Sequence, residues 1–183
     1  MDIVLRAARY LRIHRSTTPR LAPTDVGRIA FRVQLSDLDE LRHMNNGVYL
    51  STMDLARVDL IQRAGVWSRM RAHGMYAVVA SQTISYRKSL TLWQRYEIET
   101  RVVGYDERAV YMEQRFVVGG EVYARGVVAG RFLRRTGGVV SMAELGEVIG
   151  VDVAAHPVPA WLQDWARSVA LPSSRKPAPS DWT

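Results

Sequence analysis

Cysteine is absent from the 183 residues, which excludes disulfide staples, thiol nucleophiles and thiolate metal sites. A reducing compartment is permitted, and a cytoplasmic location is the expectation. Lysine is nearly absent: only Lys88 and Lys176 accompany the arginines, in a chain of net charge +7. Such a surface reflects either a general bias toward arginine or attraction of a polyanion. No apolar run approaches the ~20 residues of a membrane-spanning helix. HExxH, GxxxxGK and GxSxG are all missing, so zinc-protease, nucleotide-hydrolase and serine-elbow chemistries lack their residues. The four histidines, His14, His43, His73 and His156, are too scattered to supply a local ligand pair, and no metal is expected.

Asparagine is equally scarce, but its only two copies, Asn45 and Asn46, stand side by side. They follow His43 and the acidic pair Asp37 and Asp39, in the stretch Ser36 to Leu60. A long apolar-striped segment begins directly behind them, read as a helix from about Val48 to Ala64. Asparagine is a favoured N-cap, because its side-chain oxygen accepts an N–H that the first turn leaves unpaired. A carboxylate, a histidine and two amides are thus gathered at a helix start, where backbone N–H groups stabilise negative charge. This stretch is the candidate active site.

The rest of the chain changes period around it. Arg28 to Ser36 alternates, with Ile29, Phe31, Val33 and Leu35 on one side, as in a half-buried strand. The helical row Tyr49, Met53, Ala56 and Leu60 is widened by Leu50, Leu55, Val58 and Ile61, which predicts a helix wrapped on several sides. Gly65 is its expected C-cap, and Val66 to His73 is read as a short extra turn or helix. Tyr76–Tyr86, Tyr96–Tyr105, Ala109–Val118 and Glu121–Leu133 read as strands rich in β-branched and aromatic residues. Gly119–Gly120 marks a tight hairpin. The predicted class is α+β, with a curved antiparallel sheet gripping a central helix.

Four segments follow: a basic amphipathic segment 1–27, a core domain 28–135, a helical extension 136–171 and a loose tail 172–183. Segment 1–27 carries Arg6, Arg9, Arg12, Arg15 and Arg20 beside an apolar stripe. Docking on its own domain or on a second copy is preferred over lying on a membrane or acting as an import sequence. The expected helices of the extension are Met142–Val148 and one carrying Trp161, Leu162, Trp165 and Val169.

The run D-L-D-x-x-x-H-M-N-N-x-x-Y-L, Asp37 to Leu50, resembles the signature of hotdog-fold thioesterases, and more narrowly the 4-hydroxybenzoyl-CoA thioesterase-like group. The likeness extends more loosely over Arg28 to Arg135. It implies a hotdog fold and hydrolysis of an acyl-CoA, aryl-CoA or acyl carrier protein thioester. It further implies a homodimer or dimer of dimers with the site between protomers. No cofactor is implied, coenzyme A being part of the substrate. Nucleic acid is not an expected partner, since an aromatic–basic ribbon motif is missing.

Asp39, four positions before His43, falls where the family's catalytic carboxylate lies. As an anion it either activates a water or attacks the thioester carbonyl; bracing the turn is the other role open to Asp37 or Asp39. The amides near Asn46 and Gly47 are the expected oxyanion donors, with helix capping as the alternative for the asparagines. His43 orients a carboxylate, touches substrate, or serves as a strut. Asp54 and Arg57 have the spacing of an i,i+3 ion pair. Arg87, Lys88 and Ser89 are candidates for the coenzyme A phosphates, with an ordinary solvated turn as the alternative. Arg42 departs from the family, which commonly has glycine just before the histidine. A position needing positive φ suits arginine poorly. An acyl-CoA-, lipid- or protein-binding module without catalysis is the rival function.

Overall fold

The computed structural model describes residues 19–173 and 176–180. Strand β1, Gly27–Arg32, leads through a 3₁₀ turn at Leu35–Asp37 to helix α1, Asn46–Arg63, and short helix α2, Val66–Ala72. Then come β2, Met75–Tyr86; β3, Arg95–Tyr105; β4, Val110–Val118; and β5, Glu121–Arg134. Helices α3, Met142–Ile149, and α4, Ala160–Ser168, complete the fold. The segment 1–18, on which most of the basic N-terminal reading rests, lies outside the described residues.

All pairings in the five-stranded sheet are antiparallel, in the order β1-β3-β4-β5-β2. The curved sheet holds α1 against one face, the hotdog layout expected from the sequence. Tyr49, Met53 and Ala56 of α1 pack on Ile98, Phe116, Ala124 and Val128 of the sheet. Gly126 makes the approach close: a Cβ there would lie 2.4 Å from the Met53 methyl group. The helix ends as predicted, with Gly65 left-handed at φ 67°.

A polar tie fastens the same helix to the sheet. Gln114, fully buried on β4, accepts a hydrogen bond from Arg57 Nη1 at 2.7 Å. Its amide nitrogen donates to the Met53 carbonyl and to Thr100 Oγ1, both at 2.9 Å. Arg57 also meets Asp54 at 2.9 Å, the expected i,i+3 pair. Burial lowers the pKa of Arg57, with Asp54 acting in the opposite sense.

The C-terminal segment covers the part of the outer face formed by β4 and β5. Leu162 and Trp165 of α4 pack with Tyr111, Val127 and Ala129. Helix α3 closes the end of the sheet beside α2, through Met142, Leu145 and Ile149.

One expectation fails at the end of β1. Leu35 does not join Ile29, Phe31 and Val33 in the core; it is 70% exposed. Strand pairing stops at Arg32 and the chain turns into the 3₁₀ segment, so the alternation no longer reports a sheet face.

Candidate active site

Between β1 and α1 the chain folds back on itself. The Asp39 N–H donates to the His43 carbonyl at 2.8 Å and the Asn45 N–H to the Asp37 carbonyl at 2.8 Å. One Asp39 oxygen, Oδ1, accepts from the backbone of Leu41 at 2.9 Å and of His43 at 3.2 Å. The bracing role is therefore present. The other oxygen, Oδ2, has no hydrogen-bond partner among the described residues, and Asp39 is half-buried. The bracing bonds thus all fall on one oxygen of the carboxylate. Asp37 has the purely structural part: buried, it accepts from the Gln34 N–H at 2.8 Å and caps the 3₁₀ turn.

Arg42 adopts φ 63°, so this turn does require the left-handed conformation that glycine tolerates best. Arginine keeps the turn shape at a cost of ~1 kcal/mol. Arg42→Gly is expected to raise unfolding stability by about 1 kcal/mol, measured by urea denaturation; an unchanged midpoint would mean that the turn is not strained.

Asn45 is the N-cap of α1 and takes the Gly47 N–H at 2.8 Å. This corrects one expectation: the Gly47 amide is already engaged within the cap. The Asn46 N–H has no partner among the described residues and sits at the positive end of the helix dipole. The His43 imidazole likewise makes no hydrogen bond among the described residues, while its backbone bridges to Thr91.

A second loop, between β2 and β3, closes over the first. The Met44 N–H donates to the Leu90 carbonyl at 2.8 Å, and the Leu90 N–H to the Tyr49 phenol at 3.1 Å. Tyr49, read from sequence as core, is indeed buried, yet its hydroxyl also ties the two loops. Burial raises its pKa; the Leu90 bond opposes the rise, and nearby Tyr86 and the Asp39 charge add to it. The Asp39 field thus reaches the first turns of α1.

Arg87, Lys88 and Ser89 stand where this second loop leaves β2. The two cations converge on one carboxylate, Glu121, at 2.8 and 2.7 Å. All three charged groups are exposed. The two cations share this counterion, with one positive charge in excess. Their hydrogen bonds hold the Glu121 carboxyl below its usual pKa, Lys88 contributing most. Ser89 is exposed.

Among the described residues no group of three or more His, Cys, Asp or Glu could hold a metal. No described helix is long and apolar enough to cross a membrane.

Comparison with known proteins agrees with this architecture. Protein THEM6 of Xenopus laevis is 43% identical over 95 residues, 52% of this chain and 46% of its own. The chain thus spans less than half the length of that relative, and of the Danio rerio THEM6, which is 45% identical over 86 residues and covered for 43% of its length. Among solved structures, the probable thioesterase YbaW of Escherichia coli superposes with a TM-score of 0.64 at 23% identity, covering 69% of this chain and 98% of that one. The gentisyl-coenzyme A thioesterase BH1999 gives 0.59 at 18% identity, covering 66% and 98%. At these identities the structures speak for the fold alone. The sequence model of the thioesterase-like superfamily matches residues 33–166, and by that match over most of its length the chain belongs to this superfamily.

Proposed function

We propose that the chain hydrolyses an acyl or aryl thioester of coenzyme A or of an acyl carrier protein. The observation that carries this reading is that two groups on this stretch are uncommitted among the described residues, the Asp39 Oδ2 oxygen in the loop before α1 and the Asn46 N–H at its first residue. The first supplies a base or nucleophile; the second suits the oxygen that becomes negative when the carbonyl is attacked.

In the base route Asp39 Oδ2 takes a proton from water as the water oxygen adds to the carbonyl. The Asn46 N–H holds the oxyanion. Collapse breaks the C–S bond, and the thiolate receives the proton from the Asp39 carboxyl. In the nucleophile route Oδ2 itself adds, the thiolate leaves with a solvent proton, and water then hydrolyses the acyl anhydride. An acid-quenched single turnover separates the two: an acylated Asp39 peptide marks the nucleophile.

Asp39 is half-exposed and Asn45, Asn46 and Gly47 are exposed in one chain. A second copy supplying the missing wall makes a homodimer the minimum unit of this proposal. Light scattering on the purified protein tests it.

Arg87 and Lys88 retain a role in this reading as the phosphate end of the site. Glu121→Gln removes their counterion and is expected to lower KM for a coenzyme A thioester severalfold at unchanged kcat, the gain vanishing in high salt. An unchanged KM would assign the trio to the surface alone. A panel of acyl- and aryl-thioesters tests the activity as a whole; no turnover of any member would overturn it. Tight acyl-CoA binding without turnover would select the second reading, a binding module. Arg42 in a glycine position and the engaged Gly47 amide are the observations that favour it.

A further inference from the structure

Two turns at the site end of the sheet carry apolar side chains that the fold leaves uncovered. Leu35, at the start of the 3₁₀ turn, is 70% exposed; Trp93, before β3, is 59% exposed. They line one groove with Gln34 and Ser36. Leu92 adds to the patch, and exposed Leu41 stands on the adjoining loop. The two turns are held together by backbone bonds, Trp93 N–H to the Val33 carbonyl at 3.1 Å and Val33 N–H to the Gln94 carbonyl at 3.0 Å. The apolar tip is therefore a fixed feature of the sheet end.

Trp93 stands there against its own backbone. Its φ is 64°, a conformation in which a bulky side chain is a genuine outlier. Its ring makes no aromatic or cation–π contact among the described residues that would offset this strain.

The charges beneath the tip are uncompensated as well. Arg32 and Arg95 are direct cross-strand partners at the last pair of β1 and β3, so their exposed side chains share one face of the sheet. Like charges directly opposite one another destabilise a strand pair. Neither forms an ion pair among the described residues, although Glu97 follows two positions along the same strand face. By contrast, the pair Arg28 and Glu99, farther along the same ladder, is complementary and joined at 2.9 Å. Three further acidic side chains lie at this end: Glu40, exposed on the Leu41 turn; Asp39, half-buried with Oδ1 taken by two backbone N–H groups; and Asp37, buried within the 3₁₀ turn.

We propose that this tip, Leu35, Leu92 and Trp93 above Arg32 and Arg95, docks the protein on an anionic lipid surface. Trp and Leu at a membrane interface occupy the headgroup boundary, and arginines beneath them meet lipid phosphates. Side chains projecting from two turn tips enter a bilayer without needing the broad complementary face that a protein partner requires. The proposal is independent of the catalytic reading, because it concerns residues outside the Asp39 and Asn46 machinery.

The test is co-sedimentation of the full chain with phosphatidylcholine vesicles, with and without phosphatidylserine. Wild type is expected to pellet with the anionic vesicles and to be released by salt. Trp93→Gly places the residue type best suited to this backbone, so the variant should melt no lower than wild type. It is nevertheless expected to bind roughly tenfold or more weakly. Arg32→Gln and Arg95→Gln are each expected to weaken anionic-vesicle binding about fivefold. Equal binding of wild type and Trp93→Gly would overturn the proposal, since any attachment would then come from elsewhere in the chain. So would equal binding to vesicles with and without phosphatidylserine. Loss of self-association in Trp93→Gly, or capture of an acidic acyl carrier protein with no vesicle binding, would likewise assign the tip to a protein contact instead.

Discussion

Asp39→Asn is expected to lower kcat/KM for the best thioester substrate by roughly 10²–10⁴-fold while leaving the fold intact. The split between the two carboxylate oxygens makes this separation available. Asparagine keeps an acceptor where Oδ1 takes the Leu41 and His43 N–H groups, so the turn stays braced. It replaces Oδ2 with an amide nitrogen that is neither base nor nucleophile. Asp39→Ala removes both functions at once. It should lose the same activity and also about 2 kcal/mol of stability, from two charge-assisted hydrogen bonds. Steady-state kinetics and urea denaturation on the two variants side by side read the difference. Wild-type turnover in Asp39→Asn would show that the carboxylate is a brace and nothing more.

Gln114→Leu is expected to cost about 3 kcal/mol of folding stability. The volume changes little, so no cavity term enters. What is lost is the acceptor for Arg57 Nη1 and the donor to Thr100 and the Met53 carbonyl. One end of a buried guanidinium and a buried hydroxyl then each lose this partner, with the desolvation penalty that follows. Asp54 cannot compensate, because it is mostly exposed and meets the other end of the guanidinium. A shift in the urea midpoint worth less than about 1 kcal/mol would mean that water or a rotamer change repairs the network.

Much of this architecture could be read before any coordinates. Period two matches burial in β1 and the first part of β3, while β2 is mostly exposed and β4 mostly buried, so there β-branched and aromatic composition carries the reading. The row Tyr49, Met53, Ala56, Leu60 marks α1 because those residues are buried against the sheet. Gly65 was legible because only its backbone freedom is needed. Leu35 was not: the alternation continues in sequence beyond Val33, whose bonds to Trp93 and Gln94 are the last joining these strand ends, and periodicity holds no information about where hydrogen bonds end. Gln114 went unnoticed because a single polar residue in an inward register says nothing of its partner, here Arg57, 57 positions away. Glu121 was overlooked beside Arg87 and Lys88 for the same reason: the strands bring the groups together, not the local sequence. At the site, sequence places Asp39, His43, Asn45 and Asn46 in one stretch, which the structure folds as a loop running into the first residue of α1. It could not show which amide the cap consumes, since that turns on one side-chain rotamer of Asn45.

The strap formed by Leu162 and Trp165 comes from the part of the sheet domain that leaves the ribosome last. Until it emerges, the back of the sheet offers Tyr111, Val127 and Ala129 to water and to neighbouring nascent chains. Messages stopped before codon 160 should therefore yield sticky, chaperone-dependent products even though every strand has been translated.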